Sequence, residues 1–193
     1  MKKNTVSTLL LIAFATIIFT SCQTPDQEKP GNETATPIQI TNNQKIMHIQ
    51  SPDFENKALI PDEFTCMGKD ISPELQISEV PPHTASLALI MEDPDAPNGT
   101  WTHWVIWNIP PETSVIPRNV STDFARQGLN SWPKKGYGGP CPPSGTHRYF
   151  FKLFALTKEL DLPDNSGGED LLKAMNGLVI SQDQYMGIYR KKG

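Results

Sequence analysis

Hydrophobic positions along this chain gather into a few runs separated by prolines, with little sign of a helical stripe. Residues 85–91 are almost continuously apolar, the pattern of a strand buried on both faces. Residues 103–109 combine Trp104 and Trp107 with Val105, Ile106 and Ile109, and 148–156 interleave Tyr, Phe and Leu with two cations; both predict strands. Shorter runs at 46–49 and 186–189 predict two more. Pro81-Pro82, Pro110-Pro111 and the Pro140–Pro143 stretch fall between these runs and mark loops and strand ends. One helix is predicted over 169–176, with acids in its first turn, Leu171, Leu172 and Met175 on one side, and Gly177 as its stop. Many short strands with few helices predict a mainly β protein, an all-β sandwich.

The first residues follow other rules. Lys2-Lys3, an apolar run over 6–19 and the closing Ser21-Cys22 have the charge order, length and small-residue ending of a secretory signal peptide, 1–21. The run is short for a membrane span. Its end resembles a bacterial lipoprotein processing site, which implies that Cys22 becomes a lipidated N-terminus. Each buried lipid methylene contributes about 0.8 kcal/mol, so several chains hold a protein at a bilayer. Residues 22–44 are rich in Pro, Thr, Asn, Gln and Glu and lack aromatics, so they read as a flexible tether. The remainder, 45–193, is about the size of one ordinary domain. The expected location is the bacterial cell envelope, anchored by lipid to a membrane. A net charge of -4 and the absence of a basic tract before Arg190-Lys191-Lys192 argue against nucleic acid as a partner.

Polar residues with chemical potential cluster in two places. Asp93 follows the 85–91 run and His103 opens the next, so antiparallel pairing would bring them to one sheet end. A turn-capping acid with its histidine, or a pocket in which a ligand meets both, would each explain them. His147 and Tyr149 are two apart and share a strand face, whereas Arg148 points away and is expected to pair with an acid. The glycines and prolines of 137–145 would give a preformed loop beside them. His103, His147, Asp93 and Asp95 include no close ligand pair of the kind that metals favour, and neither metal nor cofactor is expected.

Three ordered motifs, Phe64–Pro73, Asp93–Pro97 with Trp101–Trp104, and Tyr137–Tyr149, resemble the phosphatidylethanolamine-binding protein family in its bacterial Raf-kinase-inhibitor-like branch. The resemblance spans 45–193. It implies the same sandwich, an antiparallel β-sandwich with small peripheral helices, and an anion-binding pocket formed by Asp93, His103, His147 and Tyr149. Trp101 and the Cys141-Pro142-Pro143 backbone would serve as walls. Trp101 could equally be a core aromatic. The implied ligand is small and anionic or phosphorylated: a phospholipid head group, phosphate or an acetate-like acid. Its monoprotonated form could share a proton with Asp93. The resemblance also places Cys66 and Cys141 in loops near the pocket, where an oxidising compartment would allow a disulfide; two separate thiols are the alternative. The expected function is therefore a tethered, non-enzymatic binding protein. Two alternatives stand beside it: a protease inhibitor or other regulatory interaction protein, and a hydrolase using Cys141 and His147.

Overall fold

The computed structural model describes residues 46–121 and 123–190; the expected signal peptide 1–21, the tether 22–44 with Cys22, and the last three residues lie outside the described residues. The fold is mainly β. Strands β1 (His48–Gln50), β2 (Leu75–Ser78) and β5 (Val115–Ile116) form a small sheet in the order β1-β2-β5. Strands β3 (Ser86–Asp93), β4 (Trp101–Ile109), β6 (Arg126–Gln127), β7 (Thr146–Leu156) and β8 (Val179–Arg190) form a larger sheet in the order β6-β4-β3-β7-β8. Every neighbouring pair is antiparallel. The helix α1 spans Gly168–Ala174, and a single 3-10 turn covers Asp62–Phe64.

The continuous apolar run at 85–91 follows from burial of the large sheet on both faces. On one face Leu87, Leu89, Met91, Ile106, Phe151 and Leu153 pack with Met47, Ile49, Leu75, Ile77 and Ile116 of the small-sheet layer. On the other, Ala88, Ile90, Val105, Trp107, Phe154 and Leu156 meet Leu160 and the helix residues Leu171 and Met175. Burying a side chain of this size contributes about 1.5–3 kcal/mol, so the two layers together carry most of the stabilisation.

Four strands, β1, β3, β4 and β7, were expected close to where they stand, and one is much longer. β8 runs from Val179, and its polar Gln182, Asp183 and Gln184 pair with Phe154, Leu153 and Lys152 of β7. Their polar side chains hid the strand from an apolar-run reading. Its far edge is closed near the C-terminal end by chain 57–60: Lys57 N–H donates to Met186 O at 2.7 Å and Ile60 N–H to Ile188 O at 2.9 Å. β2, β5 and β6 were not expected; they are 4, 2 and 2 residues long, too short to show a period.

Candidate functional site

One departure from regular pairing builds the site. Met91 pairs with Trp104 but Glu92 with Thr102, which leaves His103 as an extra residue in β4. A bulge of this kind turns two successive side chains to one face. Trp104 thus packs in the small-sheet core while the His103 ring meets the Tyr149 ring edge-on at 5.2 Å, also on that side. Simple alternation would have put His103 and Trp104 on opposite faces. On β7 the alternation is kept, so His147 and Tyr149 do share a face.

At this end of the sheet Asp93, Trp101, His103, His147 and the Cys141-Pro142-Pro143 segment line one cavity of about 270 Å³, with Ala96, Pro97, Asn98 and Trp132 completing it. Asp93 and His147 are 4% and 7% exposed, and Asp93 Oδ2 lies 2.7 Å from His147 Nδ1. A carboxylate accepts here, so Nδ1 carries the proton and Nε2 is left to the cavity. The second Asp93 oxygen, Oδ1, accepts from the Asp95 N–H at 2.8 Å. Each Asp93 oxygen thus accepts one protein hydrogen bond and keeps a second lone pair.

His103 is held from two directions. Its Nδ1 lies 2.6 Å from the Gly138 carbonyl, and the Gly138 N–H donates to the His103 carbonyl at 3.0 Å. Burial lowers its pKa, partly offset by the Gly138 carbonyl and by Asp93. A Cβ on Gly138 would meet the Trp132 ring at 2.8 Å, so glycine lets that ring lie against the loop. Trp132 in turn stands edge-on to both Trp101 and His103, with centroids 5.2 and 5.1 Å away.

Tyr149 takes a different place from the one expected. It is fully buried, backs His103, and is not among the cavity's lining residues. Its hydroxyl has no hydrogen-bond partner; burial first, then the Asp93 carboxylate, push its pKa well up. The Trp101 indole N–H is likewise buried without a partner. Arg148, on the opposite face, grips Asp95 with Nε–Oδ2 at 2.8 Å and Nη2–Oδ1 at 2.6 Å. That hydrogen bonding is the largest cause holding the Asp95 carboxyl down at about 2. Arg148 therefore fixes the 93–97 turn from outside and does not enter the cavity.

The wall of the cavity is strapped to the 3-10 turn region. Cys66 and Cys141 form a disulfide with Cα atoms 5.5 Å apart. Beside it, Cys66 N–H donates to Pro140 O at 3.2 Å, Gly139 N–H to Asp70 Oδ1 at 2.7 Å, and Tyr137 Oη–H to Phe64 O at 2.7 Å. In this form Cys141 offers no thiolate nucleophile. Among the described residues, no three His, Cys, Asp or Glu side chains gather as a metal cluster.

Trp132 was missed from the sequence. It lies in Ser131-Trp132-Pro133, where no periodic pattern marks it. Asn130 holds that loop, its Oδ1 accepting from the N–H groups of Trp132 and Lys134 at 3.0 and 3.2 Å. The Asn-Ser-Trp-Pro turn chemistry was the available signal.

A sandwich with a small cavity at one sheet end defines a known class of protein. The phosphatidylethanolamine-binding protein family model matches residues 50–190, and the chain belongs to that family. It is 46% identical over 150 residues to the UPF0098 protein of Methanothermobacter thermautotrophicus, covering 75% of this chain and 99% of the relative. A UPF0098 protein of Aquifex aeolicus is 45% identical over 153 residues, covering 76% of this chain and 90% of its own length. Among solved structures, a phosphatidylethanolamine-binding protein homolog from Chlamydia trachomatis matches with a TM-score of 0.74 at 39% identity, covering 77% of this chain and 99% of that one. E. coli YbcL, described as a member of the mammalian family, matches with a TM-score of 0.71 at 30% identity, covering 76% and 99%.

Proposed function

We propose that this chain is an exported, lipid-anchored binding protein of the cell envelope whose 93–103–147 cavity holds a small anionic or phosphoryl-bearing ligand. The observation that carries this reading is the buried Asp93–His147 pair opening on a cavity that Trp101 and His103 also line. His147, when protonated, presents Nε2–H to the same ligand, with Asp93 balancing its charge. The tether and the lipid at Cys22 rest on the pattern of 1–44.

The interaction-protein alternative has one observation of its own: Trp132 is 38% exposed beside the cavity mouth, where an incoming partner's terminal carboxylate would meet it. Titration calorimetry with inorganic phosphate and phosphoethanolamine tests the main reading. Binding that disappears in Asp93→Asn but persists in His48→Ala supports it; His48 is exposed and lies away from the cavity, near Asp183. Absence of binding by the wild type would overturn it.

A further inference from the structure

Resting on that reading, we propose that the cavity takes its ligand as an acid: a phosphoryl or carboxyl group that still carries a proton, which it donates in a hydrogen bond to Nε2 of His103. The tautomer follows from geometry. A carbonyl can only accept, so the 2.6 Å contact with Gly138 O puts the His103 proton on Nδ1. The reciprocal bond from Gly138 N–H to the His103 carbonyl and the bulge in β4 keep the ring from turning over. Nε2 then bears a lone pair, in a ring that lines the cavity beside the Gly138 and Gly139 backbone. The groups facing this ring are Asp93 from β3, His147 and Tyr149 from β7, and Asp70 from the strapped loop. Burial outweighs the two carboxylates and keeps the imidazole neutral, so the lone pair is available near pH 7.

Asp93 Oδ1 and Oδ2 already accept from Asp95 N–H and His147, which makes Asp93 the weaker acceptor for the ligand's proton. The cavity thus offers an acceptor at His103 and, when protonated, a donor at His147 Nε2. A group with both a bare oxygen and a hydroxyl matches that set. One with bare oxygens alone would set an oxygen lone pair against Nε2 and leave a desolvated acceptor unpaired. Sulfate falls in the refused class, and so does a phosphodiester such as the linkage within a membrane lipid. The favoured sources are free phosphate, phosphomonoesters and small carboxylic acids.

Calorimetric titration of the full chain with inorganic phosphate, methyl phosphate, dimethyl phosphate and sulfate tests this. Methyl phosphate loses its last proton near pH 6, as phosphomonoesters do, whereas inorganic phosphate keeps one at pH 8. The two should bind alike at pH 5.5 and separate by about tenfold at pH 8, since one lost hydrogen bond of about 1.4 kcal/mol corresponds to that factor. Their ratio cancels any loss from His147 deprotonation. Sulfate and dimethyl phosphate should bind about tenfold or more below phosphate. His103→Asn, whose amide can still reach Gly138 O but has no Nε2 acceptor, should bring the phosphate-to-sulfate ratio near one. The wild-type measurements decide whether the ligand binds as an acid even if that variant misfolds, and an unchanged ratio in a folded His103→Asn would overturn His103 as the acceptor. A phosphate-to-methyl phosphate ratio that stays the same between pH 5.5 and 8, or sulfate binding as well as phosphate, would overturn the proposal and leave the anion site standing. Failure of phosphate to bind at either pH would overturn both.

Discussion

Nδ1 of His147 lies 2.7 Å from Oδ2 of Asp93, with both side chains buried at the end of the central strand pair. The pair places a charge-balanced imidazole edge at the cavity floor. Asp93→Asn removes the balancing charge and replaces an acceptor by an amide that can orient either way. Phosphate binding should weaken by about tenfold or more, the size expected when a charge-assisted hydrogen bond is lost. Calorimetric titration of both proteins with inorganic phosphate checks this.

His103 predicts a pH slope in stability. Its folded pKa lies below the unfolded value of 6.5, so the unfolded chain takes up the extra proton. The stability is present in full above about pH 6.5 and declines as pH falls below it toward the folded value. Denaturant midpoints measured from pH 7.5 down to pH 5 should drop in the wild type. The drop should be smaller in His103→Asn; equal slopes would contradict the buried neutral imidazole.

The disulfide should stabilise without being required for the fold. Closing a loop with a sequence separation of 75 contributes about 4–5 kcal/mol in the chain-entropy account. Three neighbouring hydrogen bonds strap the same two segments. Cys66→Ala/Cys141→Ala should therefore fold with an unchanged circular dichroism spectrum and a clearly lower melting temperature. Protein taken from the envelope should show neither of these thiols free to alkylation.

Gly139 is a more severe position than the cysteines. A Cβ there would lie 2.5 Å from both Asp70 Oδ1 and the Phe64 carbonyl oxygen, and 2.8 Å from Thr65 Cα. Backbone cannot yield as a flexible side chain can. Gly139→Ala should cost about 1–3 kcal/mol, as overpacking does, and should weaken ligand binding by shifting the Cys141–Pro143 wall. Urea unfolding and phosphate titration on one preparation check both parts.

Cys22→Ala should release the protein from membranes or strand it unprocessed. Intact mass of the wild-type protein should show a lipid-bearing N-terminus; an unmodified chain in the membrane fraction would contradict the anchor.

The sequence disclosed the parts of this site that depend on local chemistry. Prolines at 140, 142 and 143 mark a fixed wall because proline limits its own backbone wherever it occurs. The two-residue spacing of His147 and Tyr149 settles their common face because β7 has no irregularity there. The bulge at His103 was not legible, since it depends on how β3 and β4 come into register across the 94–100 turn. Tyr149 was placed on the correct face but one layer too far forward, because spacing gives direction and not depth. Trp132 reaches the cavity through a loop held by Asn130, a contact that has no periodic signature. β8 was under-read for a related reason: an edge strand with polar side chains looks like a loop until its partner is known.

The Cys66–Cys141 bond also makes a covalent ring of the chain between those residues. β2 through β6, including the central β3 and β4, lie inside the ring, while β7 and β8 lie outside it. The exposed Asn98-Gly99 turn, where a protease has easiest access, is on the ring. A single cut there opens the circle without parting the molecule. The nicked protein would keep its mass except for one added water, and would fall into two pieces only when a reductant is supplied. A wall of the cavity thus doubles as the tie that keeps a nicked copy in one piece.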